Sequence, residues 1–380
     1  MDHENKLDWL QSLRGVAVML VVFTHARNFL IGTDQFALAE TLFRPGAMGV
    51  DLFFIISGFI MVYTSSRSDG SLAYTINFAI KRFSRIWPPY AVLTLIFVAA
   101  AYSFNYYTAP DNWTILAKSL AMIPADPAKP LYFGLALPLG WTLEFEVYFY
   151  LVFGICLLFK RLRWAVLTAW ILLTVVAVPY SRRGLALDVM DNLQFNLGYL
   201  NLMTNPIVLE FLAGALIALL YQNKQLRVKN ATVCWHLIAL AIAFPLWYAY
   251  TGVGDFHGPL KWGWPLAAMF LVLAICSKTV HIVPPRILVW LGAISFSLYL
   301  THTTTQTLVT RCLIDLNLDR FIHSWGHVFL TTVVAVSVAA LSHHYLERGL
   351  SDATRDWLLR LYHRTRQARP DGDALPGKPV

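Results

Sequence analysis

Apolar stretches long enough to cross a bilayer recur along nearly the whole chain, near residues 10–31, 48–65, 87–104, 141–159, 163–179, 205–221, 233–250, 262–277, 288–310 and 325–346. A hydrocarbon core of about 30 Å takes about 20 apolar residues in a helix, and inside it every backbone polar group needs an internal partner. The expected fold is therefore an all-α integral membrane protein, a bundle of about ten transmembrane helices. Two stretches, 163–179 and 262–277, are short enough to read as tilted or partly re-entrant. A content of 57% hydrophobic and 14% charged residues excludes an ordinary soluble domain.

The first stretch has no small-residue cleavage site and contains an internal arginine, so it reads as a span and not a signal peptide. No repeat of 20 to 50 residues is visible, nor a matched pair of Gly/Pro-broken helices of the transporter kind. Residues 1–350 thus form one transmembrane domain. Residues 351–380 begin as the basic amphiphilic DWLLRLYHRTR and end as RPDGDALPGKPV. They are expected to be a solvated, disordered cytoplasmic tail. Lys and Arg crowd the loops on the N-terminal side, including Lys81, Arg82, Lys160, Arg161 and Lys224, which places both termini in the cytoplasm. The same bias accounts for a net charge of +8 through contact with anionic lipid, without invoking nucleic acid. Cys156, Cys234, Cys276 and Cys312 are dispersed with no C-x-x-C pair. They read as packing residues, and no metal is expected.

Ionisable residues inside spans are costly and point to function by default. In RGVAVMLVVFTH, Arg14 and His25 are three helical turns apart, on one face and separated by roughly 16 Å. Arg14 lies toward the cytoplasmic end and His25 in the outer half. Asp51 opens the second span in GVDLFFIISGF, within reach of the first. Glu144 and Glu146 in GWTLEFEVYFY are two apart and face different ways, so only one is expected in a shared cavity. Glu210 in NPIVLEFLAG and His302 in ISFSLYLTH reach the same depth. Taken singly, each of these suits a helix end facing interfacial water. Five helices supplying polar groups at one level favour a functional cavity. A neutral imidazole there can accept a hydroxyl proton, and a carboxylate on its other nitrogen would hold the tautomer, which makes His25 with Asp51 the expected pair. On the opposite side, KRFSRIWPPY sets Lys81, Arg82 and Arg85 just before the third span. Arg82 and Arg85 share a face if the stretch is helical, ready for phosphate. By themselves they also suit a positive-inside anchor.

The order of these motifs adds a further constraint. R-x10-H, GVDLFFIISGF, RFSR before WPPY, W-T-L-x-x-E-x-x-F-Y and ISFSLYLTH, spread over roughly residues 7 to 346, resemble the acyltransferase 3 family of integral membrane O-acyltransferases. WTLEFEVYFY and NPIVLEFLAG are similar to the branch that acetylates bacterial exopolysaccharides such as succinoglycan. The resemblance implies a multi-pass protein of the bacterial inner membrane. It implies transfer of an acyl group, commonly acetyl from acetyl-CoA, to hydroxyls of an exopolysaccharide or lipid-linked oligosaccharide. Arg14, His25, Arg82, Arg85 and Glu146 match family positions, while Glu144 stands where the family is usually small or polar. The expected site then has Arg14, Arg82 and Arg85 holding the CoA phosphates. The thioester rises through a channel past Arg14 to His25. Asp51 and Glu146 assist the chemistry, and Trp141, Glu210 and His302 meet the acceptor. A covalent acyl-histidine relay is the variant mechanism. A proton-coupled exporter of a lipid-linked sugar is the alternative class, although it has no special need for R-x-x-R or the Arg14–His25 pair. An inactive scaffold with the same body is a third reading, against which the intact motif residues count.

Overall fold

The computed structural model describes residues 7–102, 108–129, 131–185, 187–191 and 193–367. Every regular element among them is helical. The elements that matter here are α1 (Asp8–Ala26), α2 (Gly49–Thr64), α3 (Leu72–Ala101), α4 (Gly140–Leu157), α5 (Lys160–Arg183), α6 (Val208–Gln222), α7 (Ala231–Tyr250), α8 (Pro259–Cys276), α9 (Arg286–Ala293), α10 (Ser295–Asp315), α11 (Trp325–Ser342) and α12 (Ser351–Gln367). Among the described residues, eight helices are long and apolar enough to cross a membrane, and nine if the bent pair α9–α10 is counted as one span. The shorter apolar helix α6 occupies the remaining expected stretch. The all-α membrane bundle read from the sequence is the fold observed.

Burial separates centre from rim. The most apolar window of the helix ending at Thr64 and that of α4 are each 72% buried, whereas that of α7 is only 17% buried and exposes Leu240 and Trp247. Such apolar exposure suits contact with lipid chains. Where helices cross at the centre, glycines let the backbones touch. A Cβ on Gly58 would strike the Phe211 carbonyl, and one on Gly214 would strike the Ile55 carbonyl. The α2–α6 crossing is thus reciprocal, with small residues on both sides as membrane helix pairs favour. Gly15 and Gly292 do the same for α1 and α9, against Leu288 and Gln11.

Three expectations about elements are corrected. Arg82 and Arg85 do not precede the third span; they lie inside the 30-residue helix α3, which continues through Pro88 and Pro89. Prolines remove backbone donors without ending a helix whose neighbours are packed around it. The ninth span is not straight: α9 and α10 meet at 74° next to Ile294. The close approach of Gly292 to Gln11 holds α9 along α1, and α10 then departs on its own course. Finally, residues 351–367 are not a disordered tail. They form α12, which packs on α3. Ser351, Thr354, Arg355, Leu358, Leu359 and Tyr362 recur at three- and four-residue steps as its buried or half-buried face. Judged alone this stretch is too polar to fold, and α3 supplies the surface it covers. The rest of the expected tail, residues 368–380, lies outside the described residues.

Candidate active site

Two cavities meet at three guanidinium groups. The wider one encloses about 2170 Å³, including space open to solvent, and is walled by the first turns of α1, the first half of α3 and the face of α12. The narrower, about 770 Å³ with its own share of space open to solvent, runs into the bundle between α2, α4 and α10. Arg14, Arg82 and Arg85 line both. Helical spacing accounts for this placement, because Arg82 and Arg85 project three residues apart on α3 and face Arg14 across the gap. Arg14 Nη1 donates to Gln11 Oε1 at 3.1 Å, and Arg82 Nη2 to Thr64 Oγ1 at 3.1 Å. The Arg82 guanidinium also lies over the Phe78 and Tyr150 rings, each centroid 5.4 Å away. Arginine suits this setting because its planar fork is weakly hydrated and stays charged.

Glu146 faces the narrow cavity, as one of the two glutamates was expected to. It accepts hydrogen bonds from Ser57 Oγ at 3.0 Å and from the Tyr150 hydroxyl. Glu144 lies outside the cavity lining, buried on another face of α4. Glu347, which the sequence reading did not single out, accepts from Ser297 Oγ at 3.1 Å and pairs with His343 Nδ1 at 2.8 Å. Both Glu146 and Glu347 act electrostatically on Arg14 and Arg85, and so partly balance the cluster.

The narrow cavity ends at Thr142 and Tyr299. Thr142 Oγ1 donates to the Tyr299 hydroxyl at 2.9 Å, and that hydroxyl donates to the Leu139 carbonyl at 3.3 Å. Behind this stop the Tyr299 ring stands 6.1 Å from that of His302. The expected channel is therefore interrupted, since His25 and His302 do not line the cavity and one side chain separates its end from His302.

His25 and His302 form a pair, with Nδ1 of the first 3.3 Å from Nε2 of the second and ring centroids 5.0 Å apart. Their tautomers follow from their acceptors. His302 Nδ1 is 2.7 Å from the Tyr299 carbonyl and 3.1 Å from that of Leu298, so it carries the proton and Nε2 the lone pair. His25 Nδ1 is 2.9 Å from the Val21 carbonyl, hence it too carries the proton, shared toward His302. The free lone pair of His25 is on Nε2.

Asp51 is not the partner of His25. Its two oxygens accept from His257 Nδ1 at 2.7 Å and from the Gly258 backbone N–H at 2.9 Å, and it is fully buried. The first turn of α2 favours an anion, and the loop before α8 brings both donors to it. Glu210 lies beside this pair in the first turn of α6, where Gly263 leaves room for its carboxyl. The glycine contacts at Gly58 and Gly214 bring the same two helices together about one to two turns further along from these acids. Trp141 covers the group with its ring centroid 5.7 Å from that of His257.

The residues expected at one site thus divide into a guanidinium cluster with Glu146, a His25–His302 pair, and a group of Asp51, Glu210 and Trp141 around His257. Sequence reading missed His257, Tyr299 and Tyr150. Tyr299 stands three residues before His302 and Tyr150 four after Glu146, spacings that share a helix face and were open to notice. His257 sits in a glycine-rich loop, and nothing in its own stretch announces its role.

A family model described as an acyltransferase domain matches residues 7–344. The chain is 30% identical over 316 residues to the exopolysaccharide production protein ExoZ of Rhizobium meliloti (strain 1021), a match covering 81% of this chain and 92% of that protein. It is 26% identical to nodulation protein 10 of Rhizobium leguminosarum bv. viciae, over 91% of this chain and 93% of that one. It is 25% identical to the acyltransferase MdmB of Streptomyces mycarofaciens, over 78% of each. No solved structure matches.

Proposed function

Because the chain belongs to the acyltransferase 3 family, a multi-pass membrane acyltransferase, we propose that it carries acetyl from acetyl-CoA to a hydroxyl of an exopolysaccharide or its lipid-linked precursor. The proposal puts it in the bacterial inner membrane with both ends of the chain in the cytoplasm. The observation that carries this reading is the set of three guanidiniums, Arg14, Arg82 and Arg85, shared by a wide solvent-open cavity and a narrow one aimed at the histidine pair. Phosphates are bound well by such clusters, and a slender pantetheine arm fits a narrow extension of the same space. A polysaccharide acceptor is supported by the resemblance to a protein named for exopolysaccharide production.

In this reading Tyr299 swings aside, and the thioester carbonyl comes to lie beside the acceptor hydroxyl near His25. The lone pair on His25 Nε2 takes the hydroxyl proton while the oxygen attacks the carbonyl. Its Nδ1–H, held by the Val21 carbonyl and facing His302 Nε2, fixes the ring and steadies the imidazolium that forms. When the C–S bond breaks, the proton passes to the departing thiolate, leaving acetylated sugar and CoA thiol. Glu146, Ser57 and Tyr150 line the path of the donor. Asp51 acts through His257, with Glu210 and Trp141 shaping the acceptor side.

Purified protein in liposomes, supplied with radioactive acetyl-CoA and the cognate polysaccharide, tests this. Label should enter the polysaccharide and be released by mild base as acetate. Label retained on the protein without acceptor would instead indicate the acyl-histidine relay, and no consumption of acetyl-CoA would remove the reading.

A further inference from the structure

The match to the family ends at residue 344, yet the wide cavity continues past it. Beyond that limit, Glu347, Arg348, Asp352, Arg355, Leu359 and His363 form one wall of the same space that Lys81, Arg82 and Arg85 line from α3. The helical repeat of α12 produces this wall, since 352, 355, 359 and 363 fall on adjoining turns of one face. Two of its cations differ in readiness. Arg355 is oriented by Asp352 Oδ1 at 2.7 Å and Asp356 Oδ1 at 2.9 Å, which leaves some of its five N–H groups open. Arg348 is exposed within the cavity and forms no ion pair among the described residues.

We propose that α12 with the helical stretch before it, His343–Leu350, is part of the acyl-donor site, and that Arg348 and Arg355 bind the phosphate on the nucleotide end of the donor. The inference rests on the reading above, in which the donor enters at the basic cavity. An acyl-CoA carries a diphosphate near its middle and a separate 3′-phosphate on the ribose. With Arg14, Arg82 and Arg85 at the mouth of the narrow cavity taking the diphosphate, the 3′-phosphate falls toward the outer wall, where a second pair of arginines stands. Bidentate contacts of this kind distinguish a phosphate from a hydroxyl.

The test compares acetyl-CoA with acetyl-dephospho-CoA, which lacks only the 3′-phosphate, in the full-length wild type, Arg348→Gln, and the double variant Arg348→Gln with Arg355→Gln. Losing charge-assisted hydrogen bonds to one phosphate should raise KM for acetyl-CoA about tenfold or more. The preference for acetyl-CoA over the dephospho donor should collapse toward one, with Arg348→Lys restoring part of it. Equal rises in KM for both donors, or an unchanged preference, overturn the proposal. If the double variant does not fold, the exposed single variant Arg348→Gln decides by the same ratio. A wild type that turns over neither donor removes the functional reading. In that event, loss of 3′-phosphoadenosine 5′-phosphate binding in Arg348→Gln still supports the phosphate site, and unchanged binding rejects it.

Discussion

His257 Nδ1 lies 2.7 Å from Asp51 Oδ2, so the acid that opens α2 is bound to the loop before α8 and leaves His25 to pair with His302. A buried pair of this kind acts as a unit. Asp51→Asn or His257→Gln should each destabilise the protein by about 2 kcal/mol, because each leaves the other side chain buried with its hydrogen bond lost or weakened. The double variant should cost little more than either single one. Thermal unfolding in detergent across the four proteins measures the coupling, and strictly additive losses would show that the two side chains act separately.

Tyr299 is the stop between the donor cavity and the histidine pair, held by Thr142 and the Leu139 carbonyl. Replacing it with Ala should open the passage and let water reach the thioester. Thiol release from acetyl-CoA without acceptor is then expected to rise several-fold over wild type, while transfer to polysaccharide becomes less efficient. Unchanged thiol release would show that Tyr299 does not gate the path.

The α2–α6 crossing lies about one to two turns from Asp51 and Glu210 and packs backbone against backbone. A side chain at Gly214 meets the Ile55 carbonyl, and one at Gly58 meets that of Phe211. Gly214→Ala or Gly58→Ala should therefore cost about 1–3 kcal/mol of stability as the helices are forced apart. Gly154 in α4, whose added Cβ would meet only the Phe78 ring at 3.5 Å, an ordinary van der Waals contact, is the comparison for crowding. Melting temperatures unaltered at Gly58 and Gly214 would contradict the close packing described.

These relationships also show which parts of the molecule were legible in its sequence. Spans of about 20 apolar residues declare themselves, because the bilayer imposes a length that no other environment does. The helical period turned Glu144 away from Glu146, as observed at the cavity, which Glu146 and Arg14 line while Glu144 and His25 do not. Pairing across the bundle did not follow, since depth alone does not say which neighbour a side chain meets. Asp51 and His25 read as sharing a level, yet the nearest donor to Asp51 arrives from a loop more than 200 residues later. The helix at 351–367 was hidden for a related reason: its half-buried face has meaning only against α3.

The central claim is that the guanidinium cluster holds the donor while His25 takes the proton, and one variant separates the two roles. His25→Ala, reconstituted and saturated with acetyl-CoA, should bind the donor with near wild-type affinity but transfer acetyl about 10²–10⁴ times more slowly, the usual loss when a general base is removed. Transfer at the wild-type rate, or loss of donor binding in this variant, would contradict the account.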